Sequence, residues 1–135
     1  MMSLFWSRTF LIFAGISGAM AVAAGAYASH GLAAMAEPRL VDMFDKAARY
    51  QLVHAVALLA LAMLSTFKFF RIWSVISGVL FAVGIVLFSG SLYIRVITDN
   101  PAWGSVTPTG GVCFILGWIA LVIAGLRASS WRGSA

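Results

Sequence analysis

The chain alternates between long apolar runs and short polar interruptions. Four runs dominate, at about 9–29, 50–67, 72–97 and 106–126. The hydrocarbon core of a bilayer, about 30 Å thick, is crossed by about 20 apolar residues in helical form. Each run is that long or nearly so, and Arg95, near the end of the third, is the one charged residue inside them. In lipid, every backbone N–H and C=O has to be satisfied within its own segment, so each run is predicted to be a helix. The pattern therefore predicts an all-α integral membrane protein with four transmembrane helices, forming one domain over residues 1–135.

The polar interruptions add detail. Between Gly31 and Arg49, Glu37 and Pro38 fit a helix start, with proline in the first turn. Leu40, Phe44, Ala47 and Ala48 then recur on one face. Asp42/Lys46 and Asp45/Arg49 are opposite charges at i,i+4. This segment is predicted to be a short amphipathic surface helix between the first and second spans, running into the second. Phe67, Lys68, Phe69, Phe70 and Arg71 form a tight, basic, aromatic turn. The third run leaves the membrane near Thr98–Pro101, Trp103 marks an interface, and Trp131 and Arg132 lie in a polar tail.

Composition sharpens this picture. The chain is 62% hydrophobic and 10% charged, which leaves no room for a soluble catalytic domain. The net charge of +5 comes from residues flanking the runs, where topology and lipid headgroups account for it; nucleic acid is not an expected partner. The single cysteine, Cys113, lies inside the fourth run and is expected to be an inert thiol. The first run exceeds the apolar core of about 7–15 residues in a signal peptide, so it is expected to be a retained span. Four spans place both termini on one side, with Arg8, Lys68, Arg71, Arg127 and Arg132. The other side holds Arg39, Lys46, Arg49 and Arg95. The excess of basic residues on the first side predicts cytoplasmic termini.

Small residues recur at four-residue spacing in the first run, as Ala14/Gly18, Gly15/Ala19 and Ala21/Gly25. Such pairs let helices approach closely. Gly15, Gly18, Gly25, Gly78, Gly84, Gly110 and Gly111 are therefore expected at helix contacts.

The polar residues inside the runs are not scattered. His30 ends the first; Tyr50, Gln51 and His54 open the second. Ser89, Ser91, Tyr93 and Arg95 lie late in the third, and Thr107 and Thr109 start the fourth. All belong to the half of the bilayer away from the termini. The other half holds only small groups such as Ser17, Ser74 and Ser77. Polar groups are costly to bury unpaired, so these are expected to find one another. One outcome is a hydrogen-bonded clasp that fixes helix register, with Arg95 snorkelling outward. Another is an outward-facing polar pocket for a small ligand or lipid headgroup. His30 and His54, read at similar depth, are expected to share one unit. They also raise haem or metal ligation, but no carboxylate or Cys-x-x-Cys-His accompanies them, and neither metal nor cofactor is expected. The serines lack an Asp or Glu within the spans to orient a histidine base, and no phosphate-cradling loop is present. An enzyme is not expected.

Four motifs carry a family resemblance. Gly25-Ala26-Tyr27-Ala28-Ser29-His30-Gly31-Leu32, Tyr50-Gln51-Leu52-Val53-His54-Ala55, Leu87-Phe88-Ser89-Gly90-Ser91-Leu92-Tyr93 and Thr107-Pro108-Thr109-Gly110-Gly111 occur in order along the chain. Together they resemble the signatures of the YgdD/YwdK-like family of small bacterial inner-membrane proteins, a domain-of-unknown-function family. Tyr27 and Ser29 stand where that family more often has Phe and Ala. The resemblance implies a four-helix inner-membrane protein and carries no activity with it. The leading functional expectation is a non-enzymatic accessory or scaffold subunit that contacts the lipid bilayer and packs against another membrane protein or a second copy. The alternatives are a ligand or lipid binder or transporter and, third, a haem or metal protein.

Overall fold

Residues 2–68 and 70–129 are described by the computed structural model of the chain; Phe69, Trp131 and Arg132 lie outside the described residues. Five α-helices build four membrane-length rods: α1, Met2–Ser29; α2, Pro38–Leu64; α3, Arg71–Gly84; α4, Gly90–Thr98; and α5, Thr107–Ser129. The third rod is α3 and α4 joined through a π turn, Ile85–Ser89. Gly84 and Gly90 on its flanks keep right-handed helical dihedrals, so the rod continues without a break. All four rods are long and apolar enough to cross a bilayer. The protein is an all-α integral membrane protein.

The amphipathic segment expected between the first two spans belongs to α2 itself. Pro38 starts that helix behind Glu37, whose extended backbone (ψ 143°) ends the preceding loop. The helix runs unbroken for 27 residues, about 40 Å at 1.5 Å per residue. The expected ion pairs form on its outer face, Arg49 to Asp45 at 2.7 Å and Lys46 to Asp42 at 3.5 Å. Its inner face buries Phe44, Ala47 and Ala48. A 3-10 turn, Leu32–Ala34, bridges α1 to α2. At the far end of the third rod Asp99 takes a left-handed conformation (φ 49°). Asn100 then caps a second 3-10 turn, Pro101–Ser105, accepting from the Ala102 N–H at 3.0 Å.

Neighbouring rods are antiparallel. α1 packs chiefly along α2, and the third rod sits between α2 and α5. One apolar cluster, around Phe10, Leu58, Leu61, Phe81 and Phe114, fills the half nearer the termini. A second, around Ala28, Leu32, Phe44 and Val96, fills the half nearer the connections at 30–37 and 99–106.

Close approach is set by glycines of the third and fourth rods. A Cβ on Gly78 would strike the Phe10 ring, one on Gly84 the Phe114 ring, and one on Gly110 the Phe88 backbone. Gly111 is in ordinary contact with Phe88. The α1 glycines differ from expectation. A Cβ on Gly15, Gly18 or Gly25 would have nothing within 4 Å. α1 turns Phe10, Ala14, Ser17, Ala21 and Ala28 inward instead. The steps of four, three, four and seven residues trace one helical stripe, and Gly15 and Gly18 lie beside it.

Candidate functional site

Hydrogen bonds between side chains and neighbouring rods tie the bundle together through its middle. Gln51 lies three residues before His54 on α2, and both face the bundle interior. The Gln51 side-chain amide donates to the Ser17 carbonyl and hydroxyl oxygens of α1, each at 3.2 Å. Its carbonyl accepts the Tyr93 hydroxyl of α4 at 2.7 Å. One side chain thus joins three rods. Ser89, at the end of the π turn, donates to the Ala47 carbonyl of α2 at 2.8 Å. Ser91 pairs with Thr107 of α5 at 2.7 Å, and Ser77 donates to the Gly117 carbonyl at 2.8 Å.

His54 is held on both ring nitrogens. Nδ1 lies 2.7 Å from the Tyr50 carbonyl, an oxygen that can only accept, so Nδ1 carries the proton. Nε2 is then the acceptor for the Trp118 indole N–H at 3.2 Å. The imidazole lies flat on the Phe114 ring, centroids 3.6 Å apart and planes 8° off parallel, with the Phe81 edge on another side. Neither nitrogen keeps a lone pair for a metal. Among the described residues no three of His, Cys, Asp and Glu gather at one point.

The network brings together Gln51, Tyr93, Ser89, Ser91 and Thr107 as partners of α1, α2 or α5, and seats His54 against α5. It does not include His30 or Thr109, which are exposed. Arg95 is partly exposed and lies over Gly104 in the second connection. Tyr50 contributes its backbone carbonyl to His54, while its half-exposed ring packs on Phe88, centroids 4.7 Å apart. The shared histidine unit is corrected by geometry. Gln51 is bonded to Ser17, and His30 lies 13 residues beyond Ser17 along α1, about 20 Å of helical rise. His54 sits about four turns into α2, because that helix starts at Pro38 rather than at Tyr50. The placement of the polar groups in one bilayer half shifts with it. Ser17 and Ser77 join the network, which extends through the middle of the bundle.

Trp118, Ser17, Ser77 and Gly117 also take part, beyond the residues expected from the sequence. Trp118 had a signal in the sequence. Tryptophan prefers membrane interfaces, so one in mid-span needs a partner for its indole N–H. Gly117 precedes it and lets Phe81 of α3 approach; a Cβ there would meet that ring.

Comparison with known proteins places the chain in a family. Residues 24–111 match the family described as "Protein of unknown function (DUF423)", a stretch that contains most of the network. The chain belongs to this family. It is 40% identical over 118 residues to a UPF0382 membrane protein of Staphylococcus aureus, covering 87% of this chain and 94% of that one. It is 38% identical to the UPF0382 membrane protein YwdK of Bacillus subtilis, over 89% of this chain and 98% of YwdK. It is 39% identical to the UPF0382 inner membrane protein YgdD of Escherichia coli, over 90% of this chain and 92% of YgdD. No solved structure matches the chain.

Proposed function

We propose that the protein is a non-enzymatic, multi-pass accessory protein of the bacterial inner membrane, which packs against another membrane protein or a second copy through the glycine face of α1. One observation carries this reading. Gly15, Gly18 and Gly25 have open space where a Cβ would stand. Glycine within a helix costs roughly 1 kcal/mol relative to alanine, and the bundle's own packing makes no use of it at these three positions. Gly15 and Gly18 instead line a shallow groove of about 160 Å³ between α1 and α2, floored by Leu11, Ala14, Leu52 and Ala55 and open to the outside. Small residues on an outer face admit a partner helix closely where packing drives association.

The hydrogen-bond network supports a structural role. Its hydrogen bonds cross from rod to rod and hold the rods in register. All four acidic residues, Glu37, Asp42, Asp45 and Asp99, lie on the connection side, away from His54. The inner-membrane placement rests on YgdD, and the cytoplasmic termini on the distribution of basic residues.

Gly18→Leu tests the docking face. The full-length protein in mild detergent should keep its melting temperature within about 2 °C, while energy transfer between labelled copies, or recovery of a stoichiometric partner, drops. Unchanged association with both Gly18→Leu and Gly15→Leu overturns the docking face. Orientation is tested separately in a Cys113→Ala background. An impermeant thiol reagent applied from outside should label Asp42→Cys and spare Lys68→Cys; the reverse pattern refutes cytoplasmic termini.

A further inference from the structure

A second cavity, of about 490 Å³, opens between α1 and the third rod. That size lies within the roughly 300–1,000 Å³ of small-molecule sites. Its mouth is formed by Ile16, Met20, Val86 and Ile94, all exposed on the outer surface of the bundle. Ile16, Met20 and Val86 lie well inside the spans, so the mouth faces hydrocarbon and admits only what dissolves there. The inner wall differs in character. Ser17, Gln51, Ser89 and Tyr93 of the network line it.

Two features of the third rod hold this space open. The π turn supplies Ile85, Val86 and Ser89 to the wall, and such turns are rare and recur at functional sites. Gly90 follows it, lines the same cavity, and has nothing within 4 Å of where its Cβ would stand. Any larger residue at this position would grow into the void.

The inner wall also has hydrogen-bonding capacity left over. Ser17 accepts from Gln51, yet its own hydroxyl hydrogen has no acceptor among the described residues. A hydroxyl offers one donor and two lone pairs, so Ser17 presents a buried donor beside an apolar chamber. Tyr93 has spent its donor on the Gln51 carbonyl, and Gln51 has spent its own on Ser17.

We propose that this cavity binds a lipid-soluble molecule with a long apolar body and a carbonyl oxygen at one end, admitted sideways from the bilayer, its carbonyl accepting the Ser17 hydroxyl. The apolar body fills the chamber between Ile16, Met20, Val86 and Ile94. A void left there would forfeit dispersion contacts along its whole lining. Two sources present this chemistry: the esterified chain of a phospholipid and an isoprenoid quinone.

Photolabelling of the full-length protein in phospholipid vesicles tests the site, using three diazirine-bearing probes: a phosphatidylglycerol, an isoprenoid benzoquinone and plain hexadecane. At least one carbonyl probe should label Ile16, Met20, Val86 or Ile94, and its unlabelled form should compete. Which probe does so identifies the source. Gly90→Phe should cut that labelling by about tenfold. Ser17→Ala should cut it roughly three- to tenfold, the range of one net hydrogen bond, while leaving hexadecane labelling unchanged. Equal labelling by all three probes in the parent protein overturns the proposal, as does parental labelling in both variants. If Gly90→Phe fails to fold, Ser17→Ala decides alone. Labelling is read independently of association between copies, so the docking face of α1 can fail while this site stands.

Discussion

Two sets of glycines in the same small bundle do opposite things. Gly78, Gly84, Gly110 and Gly117, on the third and fourth rods, sit where a methyl group would collide with Phe10, Phe114, Phe88 or Phe81. Gly15, Gly18 and Gly25, on α1, sit where a methyl group would meet nothing. Their sequence settings are alike, each within an apolar run rich in small residues. The difference lies in what faces them. Gly78, Gly84 and Gly117 are each matched to one large aromatic ring on a neighbouring rod, ridge into gap, and Gly110 to the backbone of Phe88. α1 meets α2 through alanines and Ser17, so its glycines fall to the side of that contact. A small residue in a membrane helix permits close approach; the partner decides whether the approach happens within the chain or beyond it.

The contrast can be broken most sharply at Gly110. Its neighbour is the Phe88 backbone, including the Cα at 2.8 Å from an added Cβ, which cannot rotate away. Gly110→Leu should destabilise the protein by about 3 kcal/mol or prevent folding, seen as loss of a monodisperse species in detergent. Parental stability of this variant would remove the distinction between the two sets.

A milder cut falls at Gly117. Its methyl would press on the ring of Phe81, which is itself completely buried. Gly117→Ala should cost about 1–3 kcal/mol by overpacking, whereas Gly18→Ala should be neutral or stabilising by up to about 1 kcal/mol through helix propensity. Thermal unfolding of both variants side by side measures the gap. Equal shifts would mean that the aromatic ring yields freely.

The histidines offer the same contrast at smaller scale. His54→Ala removes the acceptor of Trp118 and the stack on Phe114, and should cost about 1–2 kcal/mol. His30→Ala should cost less than about 0.5 kcal/mol, as at an ordinary exposed position. The double variant should equal the sum of the singles, because sites this far apart do not couple. A deviation from additivity beyond about 0.5 kcal/mol would restore a shared histidine unit.

Much of the architecture is legible in the chain, and the reason is the solvent. Hydrocarbon leaves a backbone no partner but itself, so four long apolar runs have to become four helices. Pro38 behind Glu37, the i,i+4 pairs of Asp42/Lys46 and Asp45/Arg49, and the turn at Asp99 are equally local, each decided by residues within one helical turn. The polar members of the network are also visible as a set, since Gln51, Tyr93 and Ser89 cannot all remain unpaired in lipid.

What the tertiary structure alone decided is which of these residues meet. Periodicity places Ser17 and Gly18 one step apart, about 100° around the helix, and only the position of α2 makes the first a hydrogen-bond partner and the second an outward gap. The start of α2 at Pro38 moved His54 some 20 Å along the bundle from His30, a separation that spacing within the runs could not reveal. The π turn, the pairing of each inner glycine with one phenylalanine, and the chamber beside Ser17 arise where rods from distant parts of the chain are brought together. Local sequence fixes helices because their hydrogen bonds close within four residues; contacts between helices depend on the rotation and height of each rod, and those are set by packing of the whole bundle.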